Sequence, residues 1–255
     1  MTRKDNSPPR DTKNPEHNKP YLVLDPRDRV APEGATLALF IGTSHTEYHS
    51  MPEIAARLSA RPLFCQSITH PMRSLKEHFS ERATLATLDA HPWNAVVLQE
   101  RTLLPFEDFD AHLRAVAAIT ERARAMGARV ILQRHWPRAP WHKDYAERSA
   151  LIGETPQIMF SRLLRLTERV SSELSIEVAP VGDAWMIALG KIAAQRMYYR
   201  GGNHANLAGA ILTAHVYATM LASTTSLAEG FRHEMCWDLS EHLCEWAHEA
   251  LRAKR

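Results

Sequence analysis

The chain is poor in cysteine. Its 255 residues hold three, Cys65, Cys236 and Cys244, with no Cys-x-x-Cys pair. An odd, sparse set argues against a disulfide framework and fits a reducing compartment, so a cytoplasmic protein is expected. Charge of one sign is lacking too. Lys and Arg number 31 against 29 Asp and Glu, and the net +2 is too small to imply a nucleic-acid partner. No stretch reaches the ~18 consecutive apolar residues of a membrane span, so no membrane partner is expected. The opening "MTRKDNSPPRDTKNPEHNKP" has no apolar core region, which argues against a secretory signal. Polar, charged and proline-rich, residues 1–20 read as a disordered tail, and 21–255 as one domain. There is no internal repeat, no Gly-rich phosphate loop and no dinucleotide fingerprint. No cofactor is expected.

What is present is an alternation. The apolar fraction of 45% and charged fraction of 24% are those of a globular protein. Short apolar runs at 36–42, 62–68, 94–99, 128–133 and 175–181 read as five buried strands. Longer amphipathic runs lie between them. "DFDAHLRAVAAITERARAMG" has one apolar face and ends at Gly127, a C-cap position. "TPQIMFSRLLRLTERVSSEL" starts with a Thr cap and Pro in its first turn. "HANLAGAILTAHVYATMLA" is apolar almost all round and is expected inside. Strands alternating with helices predict a parallel five-stranded sheet between two helical layers, an α/β/α domain. "DLSEHLCEWAHEALRAKR" adds a C-terminal helix.

Function is suggested by "LFIGTSHTEYHSMPEIAARL". The apolar run stops at Gly42, Thr43 and Ser44 follow, and a helical pattern begins. A serine there lies beyond the carboxyl end of a strand, where α/β sheets bind ligands. The helix N-terminus adds N–H groups and partial positive charge. Position alone favours a plain helix cap by Ser44 or Thr43. His204, in "YYRGGNHANLAGAIL", sits at a second such boundary and is the candidate base.

Several blocks in order resemble the SGNH (GDSL-like) hydrolases. "LFIGTSHT" is similar to the serine block after the first strand. "NAVVLQE" is similar to the third-strand block that ends in an amide. "GGNHANLAGAILTA" is similar to the Asp-x-x-His block. "APVGDAWMIAL" matches a branch whose first block reads Gly-Asn-Ser-Phe-Thr. The resemblance implies a flavodoxin-like sheet and an esterase with Ser44 as nucleophile and His204 as base. It implies an oxyanion hole from the Ser44 N–H, a block-two N–H and the Gln99 amide. The acyl group and alcohol are not legible; family habit suggests an acetylated carbohydrate or similar polar ester.

Two positions depart from that pattern. Gly201 stands where the triad Asp belongs, so a backbone carbonyl, a water or another carboxylate has to orient His204, with Asp183 and Glu100 as the candidate carboxylates. In "HPMRSLKEHF", Pro71 and Met72 replace the expected glycines. Pro71 has no N–H, which leaves that of Met72. His45, Glu100, Arg134, Trp136 and Asn203 are candidate substrate contacts; the loop "RHWPR" suits an anionic or sugar-like group and reads equally as a solvated loop with a packed Trp. His45 and His49 have a zinc-compatible spacing, but there is no HExxH and no third ligand nearby, so no metal is expected. The alternative to an esterase is a catalytically impaired domain of the same fold that binds a ligand.

Overall fold

The computed structural model describes residues 30–222 and 238–253; the 1–20 tail lies outside them. The strands are β1 (Thr36–Gly42), β2 (Leu63–Thr69), β3 (Ala95–Leu98), β4 (Arg129–Gln133) and β5 (Glu177–Ala179). The helices in chain order are α1 (Ser44–Glu47), α2 (Met51–Leu58), α3 (Leu75–Phe79), α4 (Arg82–Ala90), α5 (Leu104–Glu107) and α6 (Phe109–Ala125). They continue with α7 (Asp144–Glu147), α8 (Ser149–Ile152), α9 (Pro156–Leu174), α10 (Val181–Lys191), α11 (Leu207–Ala222) and α12 (Ser240–Ala253).

All strand pairs are parallel, in the order β2-β1-β3-β4-β5. This is the flavodoxin-like order, whose switch point lies between β1 and β3. The pleat of β1 divides its side chains between two cores. Ala38 and Phe40 join a layer with α2, α10, α11 and α12, while Leu39 and Ile41 face α4, α6 and the end of α9. Burial of both faces is why the strands read as continuous apolar runs rather than alternating ones.

Local signals set the ends. Thr155 caps α9, its hydroxyl accepting from Ile158 N–H, with Pro156 in the first turn. Past α6, Gly127 takes φ +83°. The fifth strand is shorter than its apolar run. Pro180 has no N–H for the ladder, and Val181 already starts α10. α11 is buried on nearly every side because α2, α10 and α12 pack around it. Within it, Tyr217 OH donates to Gln133 Oε1 at 2.8 Å. Among the described residues, no helix is long and apolar enough to cross a membrane.

Candidate active site

The turn after β1 is built for close approach. Thr43 caps α1, its hydroxyl accepting from His45 N–H, and Ser44 is the first helical residue. A side chain on Gly42 would put its Cβ 2.6 Å from Thr46 Oγ1 and 2.7 Å from Gln99 Oε1, so only glycine fits. Gln99 leaves β3 and passes beneath this turn. Its Oε1 accepts from Thr43 N–H at 2.7 Å, Thr43 Oγ1 at 3.0 Å and Thr46 Oγ1 at 3.0 Å. Its Nε2 donates to the Glu100 carbonyl at 2.5 Å. Sequence reasoning expects that amide to face an oxyanion. It is instead buried and fully engaged, and the extra methylene carries it under the nucleophile turn rather than beside it.

Across the cleft, Ser44 Oγ and His204 Nε2 are 2.8 Å apart. The His204 loop is held by the segment after β4. Trp136 Nε1–H donates to Asn203 O at 3.1 Å, Trp141 Nε1–H to Arg200 O at 2.8 Å, and Ala139 N–H to Gly202 O at 2.8 Å. Gly202 has φ +71°, and a Cβ there would meet Ala139 at 2.9 Å. The His204 ring stacks on Tyr48, centroids 4.3 Å apart, with His45 on another side at 5.0 Å. Burial, and secondarily the Arg138 charge, hold its pKa down to about 4, so the ring is neutral at pH 7.

These residues line a cleft of about 320 Å³, together with Thr43, His45, Pro71, Met72 and Asn203. Arg101, Thr102, Leu103, Glu107, Arg138 and Arg148 complete its wall. His45 Nε2 pairs with Asn203 Oδ1 at 3.0 Å, linking the serine turn to the histidine loop. Burial first, and then neighbouring positive and imidazole charges, hold the His45 pKa well below its usual value.

No protein-family model matches the sequence, and no curated protein matches it significantly. Solved structures do match. A candidate SGNH hydrolase from Slackia heliotrinireducens superposes with a TM-score of 0.64 at 25% identity, covering 72% of this chain and 98% of its own. The chain belongs to the SGNH superfamily. A DUF4886 family protein from Bacteroides uniformis shares the fold with a TM-score of 0.67 at 14% identity, over 85% of this chain and 95% of its own. So does an acetylxylan esterase from Geobacillus stearothermophilus, at 0.56 and 10%, over 76% and 97%.

The two departures from the SGNH pattern have structural counterparts. At position 201 no carboxylate exists, and no described residue bonds to Nδ1 of His204. Asp183 does not substitute: both its oxygens accept from Arg134 Nη1, each at 2.9 Å. In block two, Arg73 N–H donates to His70 O, with Pro71 second and Met72 third at φ +67°. That is the arrangement of a type II turn, which ordinarily has glycine where Met72 sits. Met72 is 73% exposed and lines the cleft. Neither its N–H nor that of Ser44 donates to a described residue.

Three further sequence candidates turn away from the cleft. Glu100 is buried and accepts from Leu75 N–H at 3.1 Å and Arg101 N–H at 2.7 Å, with His112 Nδ1 at 3.2 Å. It anchors the start of α3. Arg134 is buried and locked to Asp183. Trp136 is 2% exposed and stacks on Trp185 at 4.5 Å, bracing the His204 loop from behind. His45 and His49 do not converge. The chain kinks at His49, φ +60°, so His45 meets Asn203 while His49 Nε2 meets the Tyr199 hydroxyl at 2.8 Å. Among the described residues, no three His, Cys, Asp or Glu side chains gather as a metal site. Sequence reasoning missed Tyr48, Arg101 and Arg148. Tyr48 lies one helical turn after Ser44, a spacing that could have flagged it. The two arginines are reached only through the tertiary fold.

Proposed function

We propose that the protein is a serine hydrolase that cleaves an ester through a Ser44–His204 dyad. The 2.8 Å contact between Ser44 Oγ and His204 Nε2 at the carboxyl edge of the sheet carries this reading. His204 is neutral at pH 7 and able to accept a proton. As Ser44 Oγ attacks the ester carbonyl carbon, its proton passes to Nε2. The carbonyl oxygen becomes an oxyanion facing the Ser44 and Met72 N–H groups, with the α1 N-terminus behind Ser44. Collapse expels the alkoxide, which takes the proton back from Nε2. Water then repeats the cycle on the acyl-serine.

The hydrolase and esterase neighbours support ester chemistry at the general level. A small polar ester, such as an acetylated carbohydrate, is the substrate class we favour. His45 and Asn203 line the cleft as polar contacts for it. Without an acid behind His204, the dyad is expected to be slower than a full triad, in which the acid contributes about 10⁴ in turnover.

A fluorophosphonate probe followed by intact-mass measurement tests the reading. One adduct on wild type, mapped to Ser44 and absent from Ser44→Ala, is expected. A wild type that neither labels nor hydrolyses aryl esters would overturn it and leave a ligand-binding domain on the same fold.

A further inference from the structure

Arg138 is nine-tenths buried yet only partly paired. Its side chain is 10% exposed, and Nε donates to Asp144 Oδ2 at 3.3 Å. Its two terminal nitrogens donate to no described residue, although Arg138 lines the cleft beside Ser44, His45 and His204. Those two nitrogens are not shut off from solvent; they open onto the cleft, where an anion can meet them. The backbone that carries the side chain is also held in place. Its own N–H meets Met159 Sδ at 3.3 Å, and its carbonyl accepts from Tyr145 OH at 2.7 Å.

We infer that Arg138 binds a carboxylate on the substrate, beside the ester that Ser44 attacks. The inference deepens the Ser44–His204 reading, on which it rests for the position of the ester. Charge in the cleft fits a monoanion. Arg101, Arg138 and Arg148 face Glu107 and Asp144. Glu107 accepts from Arg101 at 2.9 Å and Arg148 at 3.0 Å, and Asp144 pairs with Arg138 and, at 3.9 Å, with Arg148. Three cations against two anions leave one positive charge in excess. His45 and His204 add none, because burial keeps both neutral at pH 7. A planar fork with two free terminal nitrogens matches the two oxygens of a carboxylate. Arg101 and Arg148 are the weaker candidates, since both are more exposed and already share Glu107.

Two matched ester pairs test the inference in wild type. On the acyl side these are p-nitrophenyl hemisuccinate against p-nitrophenyl pentanoate, and on the alcohol side 4-acetoxybenzoate against 4-methylphenyl acetate. In at least one pair, kcat/KM for the anionic member is expected to exceed that for the neutral member by about 10–100-fold, the range of a charge-assisted hydrogen bond. Arg138→Gln should lower that ratio by the same factor, and Arg138→Lys by less, because lysine keeps the charge and loses the fork. Arg138→Gln removes one side of a buried pair, so binding is measured separately on a folded background. Titration of 4-acetoxybenzoate into Ser44→Ala by calorimetry should give binding that 4-methylphenyl acetate lacks. Ratios near one in both pairs, with hydrolysis intact, overturn the carboxylate and leave the dyad standing. Absence of hydrolysis and labelling overturns the dyad, while calorimetry still decides the anion site.

Discussion

Nε2 of His204 lies 2.8 Å from Oγ of Ser44, although 160 positions separate the two residues. The sheet brings them together. Ser44 follows β1 at the switch point, and His204 precedes α11, which packs over the same strand. If this contact is a catalytic dyad, removing either member removes the nucleophile or its base. Ser44→Ala and His204→Ala should each lower aryl-ester turnover by about 10³-fold or more. Both side chains are half-buried at a cleft wall, so melting temperatures should change little. Stopped-rate assays beside thermal melts check this. Full activity in Ser44→Ala would refute a serine mechanism.

Gln99 is expected to matter through stability first. Gln99→Ala strands Thr43 N–H and the hydroxyls of Thr43 and Thr46, all buried under the nucleophile turn. Each unsatisfied buried group costs roughly 1–3 kcal/mol, softened where a hydroxyl rotates to a new partner. A net loss of about 2–4 kcal/mol corresponds to a fall of about 4–16 °C in melting temperature for a domain of this size. Activity should fall with it, because Ser44 is no longer held. An unshifted melt with turnover down about 10²-fold would return Gln99 to the oxyanion role.

How much of this was legible in the sequence differs from residue to residue. The five strands were, because burial on both faces leaves unbroken apolar runs. Ser44 stood out because such a run stops at Gly42 with a helix pattern next. His204 stood out through its glycine-rich loop ahead of an all-apolar helix. Side-chain direction was not legible. Gln99 carries both a donor and an acceptor, and only the tertiary position of Thr43 and Thr46 decides which way it is used. In "RHWPR", Arg134 and Arg138 look alike. One meets Asp183, 49 residues later, and the other reaches the cleft. The end of β5 was misjudged because Val181 is as apolar as a strand residue, and Pro180 was not weighed as a stop.

Met72 supplies a test of backbone against side chain. A non-glycine residue at φ +67° carries roughly 1–2 kcal/mol of strain, partly offset in glycine by its greater unfolded-state entropy. Met72→Gly should therefore leave the protein as stable or up to about 1 kcal/mol more stable. It also keeps the N–H proposed to face the oxyanion. Turnover on small acetyl esters should be retained. A loss of 10-fold or more would mean that the exposed thioether, not the N–H, is what the substrate uses.

The missing acid gives the sharpest pH prediction. His204 acts as a base only when neutral, and it is held to about 4 by burial and then by Arg138. Activity should thus persist as pH falls from 8 toward 5 and disappear through about 4, in the kcat/KM profile that reports the free enzyme. Gly201→Asp should change this. A Cβ at 201 meets nothing within 4 Å, and no left-handed backbone is required there, so the substitution is sterically free. A carboxylate at Nδ1 favours the imidazolium, raising the His204 pKa and making the ring a stronger base. The acid limb should then move upward by about one to two units, with higher turnover at pH 7. The shift separates electrostatics from simple repair of the loop, which would raise turnover and leave the limb near 4. An unchanged limb and unchanged turnover would place position 201 out of reach of the imidazole, and the dyad would then work without any acid this loop can supply.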